Sequence, residues 1–214
     1  MVDELELLKK DWQKKDAHLP KLSYDEIYKM IWKKSSSIVK WIFYISLIEF
    51  VFWAGINIIF SDPESMQELK AMHIYNIMMV LGFVNYGVIL YFIYKFYTNY
   101  RKISFTDSSK KLMKTILDVK KTVTHYVWFN LIIFTITMVI SIYGVLIYSP
   151  EGKQIVETAL QDSDKVTFWA MVTVVSIIFT AILLLLIWLF YKLLYGILLK
   201  RLKANYNELK KLEV

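Results

Sequence analysis

Cysteine is absent from this 214-residue chain, so no disulfide, zinc–thiolate centre or lipidated thiol enters its chemistry. Histidine is scarce. His18, His73 and His125 fall in three separate regions, one of them beyond an apolar run from the other two, so a metal site shared within one chain is not expected. Three prolines and six glycines leave few positions at which a helix must break. There is no phosphate-binding glycine loop, no HExxH pair and no nucleophile elbow. With these constellations missing, the chain reads as non-enzymatic, with no cofactor and no metal.

What the sequence has instead is four long apolar runs, roughly Ile38–Phe60, Ile74–Phe96, Tyr126–Tyr148 and Thr167–Phe190. At about 1.5 Å of rise per residue, each covers the ~30 Å hydrocarbon core of a bilayer. The fold class is therefore all-α: a polytopic membrane protein with four transmembrane helices. Lysine and arginine crowd the segment before the first run, the connection between the second and third, and the tail. The first connection holds only Lys70, and the third only Lys153 and Lys165. Basic residues mark the cytoplasmic side, which places both termini inside. The net charge of +7 is explained by this sorting and by anionic lipid, so direct contact with nucleic acid is not expected. Aromatic residues at the run ends, among them Trp41, Trp128, Trp188, Tyr94 and Tyr191, fit headgroup belts. The opening DELELLKKDWQKKD is too charged for a cleavable signal.

The chain divides accordingly into a cytoplasmic amphipathic segment (1–37), a first transmembrane hairpin (38–97), a cytoplasmic amphipathic connection (98–125), a second hairpin (126–194) and a helical tail (195–214). Either the halves are a tandem two-span repeat, or they share only the likeness of membrane segments of similar composition. At one offset of 87 residues, Lys33-Lys34 matches Lys120-Lys121, Trp41 matches Trp128, and Pro63-Glu64 matches Pro150-Glu151. Such a repeat relates its halves by an axis along the membrane normal. The Pro-Glu corners also have a local cause. Asp62 and Ser149 suit N-caps, and Pro63 and Pro150 suit first helical positions.

Amphipathic helices recur on the basic side. Ser23 and Glu26 form a capping-box pair. Tyr24, Ile27, Tyr28 and Ile31 then follow at helical spacing. Leu112, Ile116, Val119 and Val123 make a second stripe, and Leu199, Leu202, Tyr206 and Leu209 a third. Either these stripes pack on one another and on the bilayer, or they dock a cytosolic protein. In the second case Trp12, Tyr24, Ile27, Tyr28 and Ile31 are the anchors, since large apolar side chains on one helix face carry groove binding.

Glu49 is the most unusual residue, a carboxyl at the midpoint of the first run, where a charge costs about 2.5–3.5 kcal/mol even on lenient scales. Asn85, Thr137 and Thr180 occupy the midpoints of the other three. A protonated Glu49 hydrogen-bonded to Asn85 is the expected pairing. Three roles stay open for it: helix–helix glue, an ion-coupled site, or contact with a ligand or partner.

The segments LLKKDW (Leu7–Trp12), LSYDEIYKM (Leu22–Met30) and KKSSSIVKW (Lys33–Trp41), followed by an Ile/Phe-rich span, resemble a family of uncharacterised four-span bacterial inner-membrane proteins. Members often carry the label beta-carotene 15,15'-monooxygenase, which implies four iron-binding histidines that this chain lacks. Some are regarded as membrane-bound regulators of sigma factors. The resemblance implies an inner-membrane interaction or regulatory protein tethering a cytosolic partner such as a sigma factor. The alternative is a small transporter or exporter subunit built around Glu49. Expected partners are the lipid bilayer, a cytosolic protein and a second copy of the chain.

Overall fold

The computed structural model describes residues 6, 9, 23–59, 70, 74–104, 108–162 and 164–212. Its elements are α1 (Tyr24–Ile59), α2 (Tyr75–Ser104), α3 (Ser109–Tyr148), α4 (Pro150–Asp162), α5 (Lys165–Tyr191), a single π turn (Lys192–Gly196) and α6 (Ile197–Leu212). No strand occurs among the described residues. Four helical stretches are long and apolar enough to cross a membrane: α1, α2, α3 and the continuous run from α5 through α6. Trp12 and the Pro63-Glu64 corner lie outside the described residues.

The segment boundaries at 37/38, 97/98 and 125/126 fall inside unbroken helices, and 194/195 falls inside the π turn. The physical reason is composition. Each boundary marks a change in polarity, but no proline or glycine stands at it to stop the backbone hydrogen-bond ladder. So α1, at 36 residues, is about 54 Å long and outreaches the ~30 Å bilayer core. The amphipathic segments are extensions of the spans at the lysine-rich end.

That basic end is where the bundle is tightly packed. Ile31, Val39 and Ile42 from α1 meet Phe96 and Ile103 from α2, the stripe Leu112, Ile116, Val119 and Val123 from α3, and Leu202 and Leu209 from α6. Outside the bilayer this burial has the ordinary aqueous driving force, about 1.5–3 kcal/mol for each fully buried aliphatic side chain. Inside it, lipid is as apolar as leucine, and packing with hydrogen bonds must hold the helices together.

Those bonds are found between helix pairs. Trp32 donates its indole N–H to the Ile103 carbonyl at 2.8 Å, tying α1 to the last turn of α2. Asn99 on α2 donates to Thr122 on α3 at 3.2 Å, and Asn205 on α6 donates to Ser35 on α1 at 2.9 Å. The two hydroxyls that accept, Ser35 and Thr122, are 87 residues apart, while the two asparagines that donate are 106 apart.

The caps behave as the sequence indicates. At the start of α1, Ser23 donates its backbone N–H to Glu26 Oε2 at 2.8 Å, and Glu26 N–H returns a bond to Ser23 Oγ at 3.3 Å. The backbone N–H of Ser23, followed by its hydroxyl, holds the Glu26 carboxyl below its ordinary pKa. At the far end, buried Ser149 joins α3 to α4, its Oγ accepting from Gly152 N–H at 2.9 Å. Asp164 caps α5 by accepting from Thr167 N–H at 3.3 Å.

Candidate intramembrane site

Glu49 on α1 is 7% exposed, and its partners are phenols. Tyr191 donates its hydroxyl to Oε1 at 2.6 Å, and Tyr195 donates to Oε2 at 3.0 Å. The tyrosines are four residues apart across the junction of α5 and the π turn, so both rings project from one side of the helix. Their planes lie 28° apart, with centroids at 6.1 Å. A wide turn of this kind is uncommon inside α-helices and is frequent at functional sites. Here it holds two hydroxyls at the two oxygens of one carboxyl group.

Tyr126 from α3 closes the cluster. It is 1% exposed and packs edge-on against Tyr191, Tyr195, Phe92 and Phe96. Its backbone carbonyl accepts from the Asn130 amide at 2.8 Å. Edge-to-face aromatic pairs each add about 0.5–1.5 kcal/mol beyond area burial. The cluster is therefore a rigid floor.

Above that floor the bundle opens. A cavity of about 600 Å³ lies between the four spans, lined mainly by aliphatic and aromatic side chains. Glu49, Asn85, Asn130, Thr137, Tyr126 and Tyr191 supply its main polar surface, and they come from α1, α2, α3 and α5. A concave, mostly apolar void with a few convergent polar groups is the usual form of a small-molecule site. One side is ajar. Helix α1 packs on α2 and, at the basic end, on α6, but it has no extended contact with α5.

The expected Glu49–Asn85 hydrogen bond does not form. Asn85 faces the same cavity, but its buried Oδ1 has no partner. The tyrosines outcompete it because two phenolic O–H groups satisfy both carboxyl oxygens, where one amide would satisfy one. Thr137 lines the cavity and donates to the Ile133 carbonyl at 2.9 Å. Thr180 is buried on α5 away from the lining. In the expected docking set, Tyr24 is exposed, Ile27 and Tyr28 are half-buried against the core, and Ile31 is 3% exposed within it. Ile31 is thus corrected from docking anchor to core residue, because helices α2, α3 and α6 extend as far as α1 does and cover that stripe.

Sequence reading missed Tyr126, Tyr191 and Tyr195, and assigned Tyr191 to a headgroup belt. At 6% exposure it is no belt residue, whereas Trp41, Tyr94 and Trp128 remain more than half exposed. The spacing of Tyr191 and Tyr195 by one helical turn, set against an unpaired span carboxyl, was the available signal. Among the described residues no group of His, Asp and Glu is placed to hold a metal.

Residues 25–214 match the family model described as Domain of unknown function (DUF8845). No curated protein and no solved structure matches the chain. An uncharacterised family is what the sequence resemblance implied.

Proposed function

The chain belongs to the DUF8845 family, whose defining domain has no assigned function, and we propose from its cavity that it is an integral membrane protein that binds a small molecule between its spans, as a binding or transport subunit. The observation that carries this reading is the convergence of polar side chains from all four spans on one void floored by Glu49. Helix glue would need the carboxyl and its partners, but it would not need the void beside them. The tethering of a cytosolic protein draws less support, since Ile31 is occupied within the bundle.

Gly82 offers the test. It lines the cavity, and a Cβ added there meets nothing within 4 Å, so Gly82→Phe starts from open space and adds a ring at the cavity wall. Native mass spectrometry of the protein in mild detergent should find a bound small molecule on the parent chain and none on Gly82→Phe, at unchanged helicity. Identical adduct profiles for the two would remove the cavity from the function.

We also propose that the basic end faces the cytoplasm of a bacterial inner membrane. The support is the concentration of lysine and arginine at that end and their scarcity at the other. A reporter active only outside the cytoplasm should be silent after Val214 and active when inserted near Gln161. Activity at Val214 would reverse the orientation.

A further inference from the structure

Several donors around the cavity are already engaged. Tyr191 and Tyr195 direct their hydroxyl protons at Glu49. Asn130 donates its amide to the Tyr126 carbonyl at 2.8 Å, and Thr137 donates to Ile133. Glu49 is the acid in the cavity lining, and its oxygens keep their second lone pairs; Asn85 Oδ1 has no partner but is itself closed off from the void. The rings of Trp53, Tyr86 and Phe190 line the same space, and aromatic faces attract cations. The rest of the wall is hydrocarbon. The side not closed by packing lies between α1 and α5, where Phe52, Trp53, Leu186 and Phe190 are each half or more exposed in the bundle and would meet lipid.

We propose that the occupant is a lipophilic primary amine, its ammonium head at the Glu49 carboxyl and its hydrocarbon body entering sideways from the bilayer between α1 and α5. This rests on the binding reading above and narrows it to one ligand class. An alkanoate would set its own carboxylate against Glu49, and a second copy of this chain could not place a helix in a void of about 600 Å³ without parting the spans.

The probe is radiolabelled dodecylamine, added to the full-length protein in nanodiscs of zwitterionic lipid, with protein-free nanodiscs as background. Binding should saturate at one molecule per chain. Glu49→Gln, which keeps the shape of the side chain, should weaken it at least about thirtyfold, the lower range for removing one partner of a buried charge pair. Dodecyltrimethylammonium has the charge but no N–H donor and should bind about tenfold more weakly, the loss of one charged hydrogen bond. Gly82→Phe should abolish binding of both. Dodecylamine that binds without saturation, or equally well to Glu49→Gln, overturns the proposal. Saturable binding of dodecanol or dodecanoate that Gly82→Phe removes would overturn the amine while keeping the cavity. If none of the four probes saturates, the amine falls on this assay, and the native mass spectra of the parent and Gly82→Phe decide the cavity separately.

Discussion

Replacing Glu49 with leucine is expected to destabilise the bundle by about 1–3 kcal/mol, because it strips the acceptor from two buried phenols at once. Membrane hydrogen bonds average about 0.6 kcal/mol and reach about 1.7, and here two are lost together. Glu49→Gln should cost much less. Its amide oxygen still accepts from one tyrosine, and its amide nitrogen can donate to the hydroxyl oxygen of the other. The order Leu worse than Gln is therefore the signature of this site, readable in reversible unfolding from mixed micelles. Tyr195→Phe supplies the independent leg. Combined with Glu49→Leu in a double-mutant cycle, it should cost clearly less than the two single changes added, since they remove one shared bond. The lipid-facing Val51→Leu serves as baseline, with 61% of the side chain outside the packed bundle. A Glu49→Leu protein as stable as Val51→Leu would mean that the phenol cluster does not hold α1 to α5 and the π turn.

The second large effect is expected at the corner between α3 and α4. A Cβ on Gly152 would collide with the Val145 carbonyl oxygen and lie 2.7 Å from Leu146 Cα, and both obstacles are backbone. Gly152→Ala should cost about 1–3 kcal/mol by overpacking, against a gain of about 1 kcal/mol in helix propensity. It also forces Gly152 N–H away from Ser149 Oγ, so the joint loosens as a unit. Tryptic cleavage after exposed Lys153 should speed up, and thermal stability should fall. Gly55→Ala is the control, since a Cβ there meets nothing and alanine only favours the helix. Equal behaviour of the two variants would show that the corner tolerates a side chain. Gly144→Ala should fall between them, because the atom it meets at 2.8 Å is the movable end of the Ile74 side chain.

Sequence by itself determined the spans, the helical class and the helix starts. Those follow from local rules. Twenty-odd predominantly apolar residues favour hydrocarbon wherever they occur, and Ser23 with Glu26, or Ser149 before Pro150, satisfies backbone groups within a few residues. The amphipathic stripes were equally legible as faces, but not what covers them. Leu112, Ile116, Val119 and Val123 would carry the same periodicity on a bilayer surface, on a partner or in a core, and only the lengths of the neighbouring helices put them in the core.

The site was the least legible part. Glu49 declared itself through the cost of a carboxyl in lipid, and Asn85 through its equal depth. Their separation could not be read, because polarity and depth say nothing about rotation around each helix axis. Tertiary structure decided three things. It brought Tyr191 and Tyr195 to a residue more than 140 positions away in the chain. It used a π turn, for which no residue pattern was diagnostic, to aim both hydroxyls at one carboxyl group. And it packed the helices closely at the basic end while leaving α1 and α5 apart above it, which makes the cavity. A cavity is a sum of helix positions and side-chain volumes from four segments. No single stretch of sequence encodes it.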